Sequence, residues 1–397
     1  MQKKRVRVLI ATANMPTGLG TARALAGPDV EIFGLCKDFS NNCCKSRYWD
    51  KVFFVDDHPE AYLEKLIFLG KQSDKKTVLF VTFDHLVQLV SDNRTELEKY
   101  YAFVLPQKSI VDLLLDKTKF HIWATKNGFP VPESYVATNQ DELNEVLEKI
   151  TYPAVIKPRY RDESWNKKPL DKIYKLQRKE NIEDIPVDLF KIAPSYIVQR
   201  WILGKDSNVH FCLTYFNRQS QEVNSFTGKK LLQWHRYTGN TAIGASTNNR
   251  EVHQLTINLL TTIKFKGICS LEVKLSDNDN KYYITEPTVG RNDLQSYLAV
   301  AGGINLSKIG LYDALKEEPP EFKKRNSSIW IHEISVVRAL HDHKKRYGLN
   351  YVELIKYLLH VVRKYKKKSF CYFSFKDPVP FIYLFKEYMI ALKKNTK

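Results

Sequence analysis

Glu272 and Glu286 stand in two apolar stretches, 267–274 and 281–291, which read as the strands of a hairpin turning across 276–280. Each glutamate is expected to point inward, and two buried carboxylates facing each other need cations as partners. Mg2+ takes oxygen ligands and shares them with phosphates, so the pair fits a Mg2+ site. Lys157 closes an apolar strand just before Pro158; a lysine there points into a cleft or simply ends the strand in solvent. Lys117 leads a helix whose stop is written in Gly128, Pro130 and Pro132. In 196–206 an apolar strand runs into Gln199, Arg200, Trp201, Ile202, Gly204 and Asp206. Such a hinge offers backbone N–H and C=O groups to a flat heterocycle, with an acid one turn on to hold hydroxyls. Together these pieces read as a nucleotide site.

Regular elements must position them. Near-continuous apolar runs at 6–12, 30–36, 51–55 and 78–82 alternate with helical segments, the pattern of strands buried on both faces of a parallel sheet. Asp84 lies at the carboxyl end of the fourth run. Gly18 and Gly20 suggest a dinucleotide fingerprint, but the third glycine and the ribose-binding acid are missing. A Rossmann-like domain that shapes part of another site is the alternative. The 397 residues carry a net charge of +18 with 43% hydrophobic residues, which predicts an anionic partner. The apolar run from Val8 stops at Asn14 and Pro16, too short for a secretory core. No stretch reaches the ~18–20 apolar residues of a spanning helix. The six cysteines have no metal-site spacing, so a reduced, cytoplasmic protein is expected.

The order and context of these segments over roughly residues 1–310 resemble the ATP-grasp superfamily of carboxylate–amine ligases, including the stand-alone enzymes of polysaccharide and cell-wall pathways. The resemblance implies an α/β fold: a Rossmann-like pre-ATP-grasp domain (1–105), a two-lobed α+β ATP-grasp module (106–198 and 199–320) and a basic helical C-terminal extension (321–397). It implies ATP and Mg2+ as cofactors. Lys117 and Lys157 match the lysines that hold ATP phosphates, and Gln199 the residue facing the adenine amino group. Arg200, Trp201 and Ile202 fall on the adenine hinge and Asp206 on the ribose-binding carboxylate. Glu272 and Glu286 match the Mg2+ ligands, with Thr288 where the family has a ligating asparagine. Lys230 matches a cation near the phosphates or the acyl intermediate, and Arg291 an arginine one residue later than usual. Residues 237–242 resemble a segment lining the substrate side. The phosphate-covering loop, glycine-rich in the family, is here 159–168 without glycine.

The implied reaction activates a carboxylate as an acylphosphate and joins it to an amine, the acid being sugar- or envelope-linked. Acid–thiol ligation and a catalytically silent nucleotide-binding module docking on a membrane are the other readings. His210 and His235 lie close enough in sequence to these segments for a direct role or a structural one. From Phe322 onward eighteen Lys and Arg face five acids, a net of +13. Helical spacing of apolar residues at 351–365 and 381–392 suits either an anionic membrane surface, placing the protein at the inner face of the membrane, or packing on the body. No nucleic-acid module signature is present, which argues against DNA or RNA as a partner.

Overall fold

Val6–Ile10 (β1), Val30–Cys36 (β2), Lys51–Phe54 (β3), Thr77–Phe80 (β4) and Tyr101–Ala102 (β5) form a parallel sheet in the order β3-β2-β1-β4-β5. The computed structural model describes residues 5–159, 174–183, 188–235, 239–324, 327–347 and 351–395. Pro16–Leu25 (α1), Pro59–Lys71 (α2), Asp84–Asp92 (α3) and Arg94–Leu97 (α4) connect the strands. The order reverses between β1 and β4, the switch point at which such sheets place ligands. Gly18 has a steric task here: a Cβ would stand 1.8 Å from the Thr12 carbonyl oxygen. Close packing of α1 on the end of β1, rather than dinucleotide recognition, accounts for this glycine.

Two compact units divide the chain, Met1–Val111 with Lys205–Leu271 and Thr288–Lys397 forming one, Asp112–Gly204 with Glu272–Pro287 the other. This partition interleaves segments that a linear reading of the sequence keeps apart. The first unit holds the parallel sheet and most of a seven-stranded sheet. The latter's strands are Val209–Phe216 (β10), Glu222–Trp234 (β11), Asn240–Ser246 (β12), Gly267–Leu275 (β13), Tyr282–Val289 (β14), Ser328–Ile331 (β15) and Lys367–Phe370 (β16). Their order is β14-β13-β10-β11-β12-β15-β16. One core runs through this unit, from Val8 and Leu19 to Phe226, Leu298, Trp330, Tyr372 and Leu384.

Residues beyond 320 are therefore more than a helical extension. β15 pairs with β12, and β16 pairs in parallel with β15. The helices Tyr351–Arg363 and Val379–Asn395 agree with the helical spacing at 351–365 and 381–392, although the side chains of Leu354 and Leu358 lie outside those described. Arg23 and Asp377, with side chains 2% and 0% exposed, form an ion pair at 3.0 Å. Asp377 also accepts from Ser46 Oγ and the Arg47 backbone N–H. Glu333 accepts from the backbone N–H groups of Cys371, Tyr372 and Phe373. Among the described residues no helix is long and apolar enough to cross a membrane.

The second unit is an antiparallel sheet of Ser134–Ala137 (β6), Ala154–Pro158 (β7), Tyr174–Leu176 (β8) and Tyr196–Arg200 (β9) in the order β6-β9-β7-β8. Lys108–Leu115 (α5) leads to Lys117–Lys126 (α6), and Gln140–Lys149 (α7) packs its apolar side, Leu143, Val146 and Leu147, into the core beneath the sheet. α6 ends where its stop signal predicts: Gly128 takes φ +73°, and the Phe129 N–H closes on the Ala124 carbonyl at 2.9 Å.

Candidate active site

In the second unit the sheet assembles the predicted adenine and phosphate residues. Gln199 lies opposite Val155 on one side and Ser134 on the other. Lys157, two residues beyond Val155, therefore shares its face, and Lys157 Nζ donates to Gln199 Oε1 at 2.8 Å. The Gln199 amide group then donates to Ser134 Oγ at 2.7 Å. The backbone N–H groups of Arg200 and Trp201 bond the Glu133 and Pro153 carbonyls, so they hold the hinge to its neighbouring strands. The Arg200 guanidinium lies over Tyr283, and Ile202 is buried. The Trp201 ring has two ammonium groups against it, Lys175 at 4.9 Å and Lys274 at 4.5 Å. Burial lowers the pKa of Lys175.

Lys117 opens α6 directly after Asp116, whose carboxylate caps the helix by accepting from the Thr118 and Lys119 N–H groups. Asp116 also pairs with Arg159 at 3.3 Å. Lys117 Nζ stands 3.6 Å from Glu286 Oε1, so a predicted phosphate lysine and a predicted metal carboxylate are neighbours. The glutamates correct one expectation. Glu286 is not inward: its side chain is 58% exposed, between the half-buried Thr285 and the buried Pro287 on β14. Glu272 is half-buried and accepts from Thr285 Oγ1 at 3.1 Å. Among the described residues no three His, Cys, Asp or Glu gather into a metal-holding group. Two carboxylates still suit Mg2+, which commonly takes one or two of them and fills its other positions with phosphate oxygens and water.

The first unit holds the other predicted residues. Asp206, buried at the start of a short 3-10 turn, accepts from the Gln233 backbone N–H at 2.9 Å and from Gln233 Nε2 at 3.1 Å. Lys230, 5% exposed, donates to Gln233 Oε1 at 3.1 Å and to the Gly239 carbonyl at 3.4 Å. Gln233 thus joins the two, a link no motif announces. The register shifts of β11 against β12 between Lys230 and Gln233 place both side chains in this network. Arg291 Nε pairs with Asp84 Oδ1 at 2.6 Å, tying it to the first turn of α3. Thr288 is half-buried on β14. At the switch point the hydroxyls of Thr12 and Thr82 are hydrogen-bonded, and Asn14, 5% exposed, has an Oδ1 that accepts no hydrogen bond among the described residues.

His210 bonds Asn249 across 3.3 Å, and burial pushes its pKa down to about 4, with Lys229 adding to the effect. It is therefore neutral at pH 7. His235 stacks on Trp234 at 4.3 Å. The glycine-free loop lies outside the described residues from 160 to 173, as does part of the substrate-side segment, 236–238.

No protein-family model matches the chain. It is 22% identical over 325 residues to a D-aspartate ligase of Enterococcus faecium, covering 74% of this chain and 77% of the relative. The N5-carboxyaminoimidazole synthetase of Staphylococcus aureus complexed with ADP superposes with a TM-score of 0.61 at 13% identity, over 83% of each chain. The biotin carboxylase domain of the Hydrogenobacter thermophilus 2-oxoglutarate carboxylase, in complex with MgADP and bicarbonate, gives 0.62 at 14% identity, over 81% of this chain and 73% of that one. The chain has the fold of these two enzymes, the fold that its ATP-grasp resemblance implies.

Proposed function

We propose that the protein is an ATP-dependent ligase that activates a carboxylate as an acylphosphate and joins it to an amine. The observation that carries this reading lies in the second unit. Lys157 bonded to Gln199, and Lys117 beside Glu286, put two phosphate-type cations next to an adenine-type carboxamide and a metal-type carboxylate. The ADP and MgADP complexes of proteins with this fold support nucleotide use. The D-aspartate ligase among its relatives supports an amino acid as one of the joined substrates. We extend the reading to an acceptor linked to a sugar or the cell envelope, handled in the cytoplasm.

In the reaction, a carboxylate oxygen bonds the γ-phosphorus while the bond to the ADP oxygen breaks. The amine then adds to the acyl carbon, loses a proton, and phosphate leaves with its oxygen. Lys117 and Lys157 are assigned to the phosphates, Gln199 and the Arg200–Ile202 hinge to adenine, and Asp206 to the ribose. Glu272 and Glu286 would hold Mg2+, with Thr288 as a weaker oxygen donor; when bound, the ion offsets phosphate charge. Lys230 and Arg291 are assigned to the negative charge that develops on the acyl group. Gln233 and Asp84 hold those two cations in place, so the charges are oriented before the reaction begins. Asn14, Thr12 and Thr82, at the switch point, are assigned to the substrate's polar groups.

The test is ADP release from Mg-ATP across a panel of carboxylates and amines, wild type beside Glu286→Gln. Turnover that needs one acid and one amine, reduced on the order of a hundredfold in the variant, is expected. ATP binding with no turnover for any pair would overturn the reading.

A further inference from the structure

The last helix, Val379–Asn395, has two faces of different fate. Phe381 and Leu384 turn into the first unit's core. Ile382, Phe385 and Met389 stay exposed at i, i+3 and i+7, and Tyr383, Tyr388 and Ile390 are exposed beside them. Phe375, just before the helix, is 91% exposed. So many large apolar side chains in one outer surface mark an interaction site rather than scattered exposure.

Cations are built into that surface, and the N-terminal part of the chain supplies some of them. Asp377 takes hydrogen bonds from Ser46 Oγ and the Arg47 N–H, which fastens residues 45–47 beside the helix. The ammonium groups of Lys45 and Lys386 each lie 5.7 Å from the centre of the Tyr383 ring. Arg47 and Lys376 are exposed nearby in sequence, and Glu387 is the exposed acid on the helix. Two other acids of the basic C-terminal region are turned inward: Asp377 is locked to Arg23, and Glu333 caps backbone N–H groups. The outside is accordingly more cationic than the sequence total conveys.

We propose that this composite face, the outer side of the last helix with Lys45 and Arg47, docks on an anionic lipid bilayer. Apolar side chains enter the interface, tyrosines sit at headgroup depth, and the cations meet lipid phosphates. A second copy of the chain fits less well, since a self-complementary contact repeats the same patch and brings its cations together. The inference stands apart from the ligase reading, because it uses none of the site residues.

The experiment is vesicle co-sedimentation of the full chain, with phosphatidylcholine alone and with an equal-mole mixture of phosphatidylcholine and phosphatidylglycerol. Binding to the mixture only, weakened by salt, is expected. Lys45→Gln with Arg47→Gln should weaken it about fivefold for each cation removed. Phe385→Ser with Met389→Ser should abolish it at an unchanged thermal midpoint. Equal binding to neutral vesicles, salt-insensitive binding, no binding, or wild-type behaviour of the Lys45/Arg47 variant would each overturn the proposal. So would a dimer in light scattering that the Phe385/Met389 variant breaks, which assigns the face to a second copy.

Discussion

Gln233 is the residue on which the first unit's cluster of candidate residues turns. It is 3% exposed and spends its backbone N–H and its whole carboxamide on Asp206 and Lys230, two groups whose buried charges need partners. Gln233→Ala removes two side-chain hydrogen bonds to charged groups and is expected to cost about 2–3 kcal/mol of stability. ATP affinity should fall with it, because Asp206, the proposed ribose carboxylate, loses its orientation. Urea unfolding and nucleotide titration of the variant check both; wild-type values in each would show that the network holds nothing. Asp206 and Lys230 were marked as candidates by the sequence resemblance. Gln233 was not, since 27 residues separate it from Asp206 and no local spacing relates the two.

At the level of elements, α6 shows how a helix terminus positions a cation proposed to bind phosphate. Asp116 both caps the helix and pairs with Arg159, so the direction of Lys117 depends on it. Asp116→Ala should cost about 1–2 kcal/mol through the lost cap and raise the KM for ATP more than it lowers kcat. Asp116→Asn keeps the cap and should recover most of the stability while the Arg159 pair stays weakened. Steady-state kinetics beside thermal unfolding separates the two roles; equal KM in all three proteins would free Lys117 from the cap. The start of α6 and its stop at Gly128 were readable because capping and positive φ are local demands. β16 was unreadable because Lys367, Lys368, Ser369 and Phe370 have no strand pattern of their own and become a strand only by pairing with β15. Lysines on this outer strand also blunt an exposed sheet edge.

Across the whole chain, the Arg23–Asp377 pair joins residues 354 apart in a region with almost no solvent. Its loss on one side leaves a buried charge alone. Asp377→Ala is expected to destabilise by about 3–5 kcal/mol, whereas the apolar double replacement Arg23→Met with Asp377→Leu should restore much of that loss. Thermal unfolding compares the two, and a mild effect of Asp377→Ala would mean that the buried pair does not hold the C-terminal segment. The charge surplus after residue 322 belongs to this integrated segment, with part of its acid content turned inward.

The sequence by itself determined the parallel N-terminal sheet, the ATP-grasp fold and the identities of the candidate site residues. The sheet follows from local hydrophobic periodicity and turn chemistry; the fold and the candidate residues follow from the resemblance that short, ordered motifs carry. Tertiary structure alone decided that Glu286 faces solvent beside Lys117, that Gln233 joins Asp206 to Lys230, and that Lys45 meets Tyr383. It also decided that the basic C-terminal segment enters the core. Each of these is a pairing of distant residues, set by sheet register and by the need of buried charges for partners, and neither requirement leaves a local pattern in the chain.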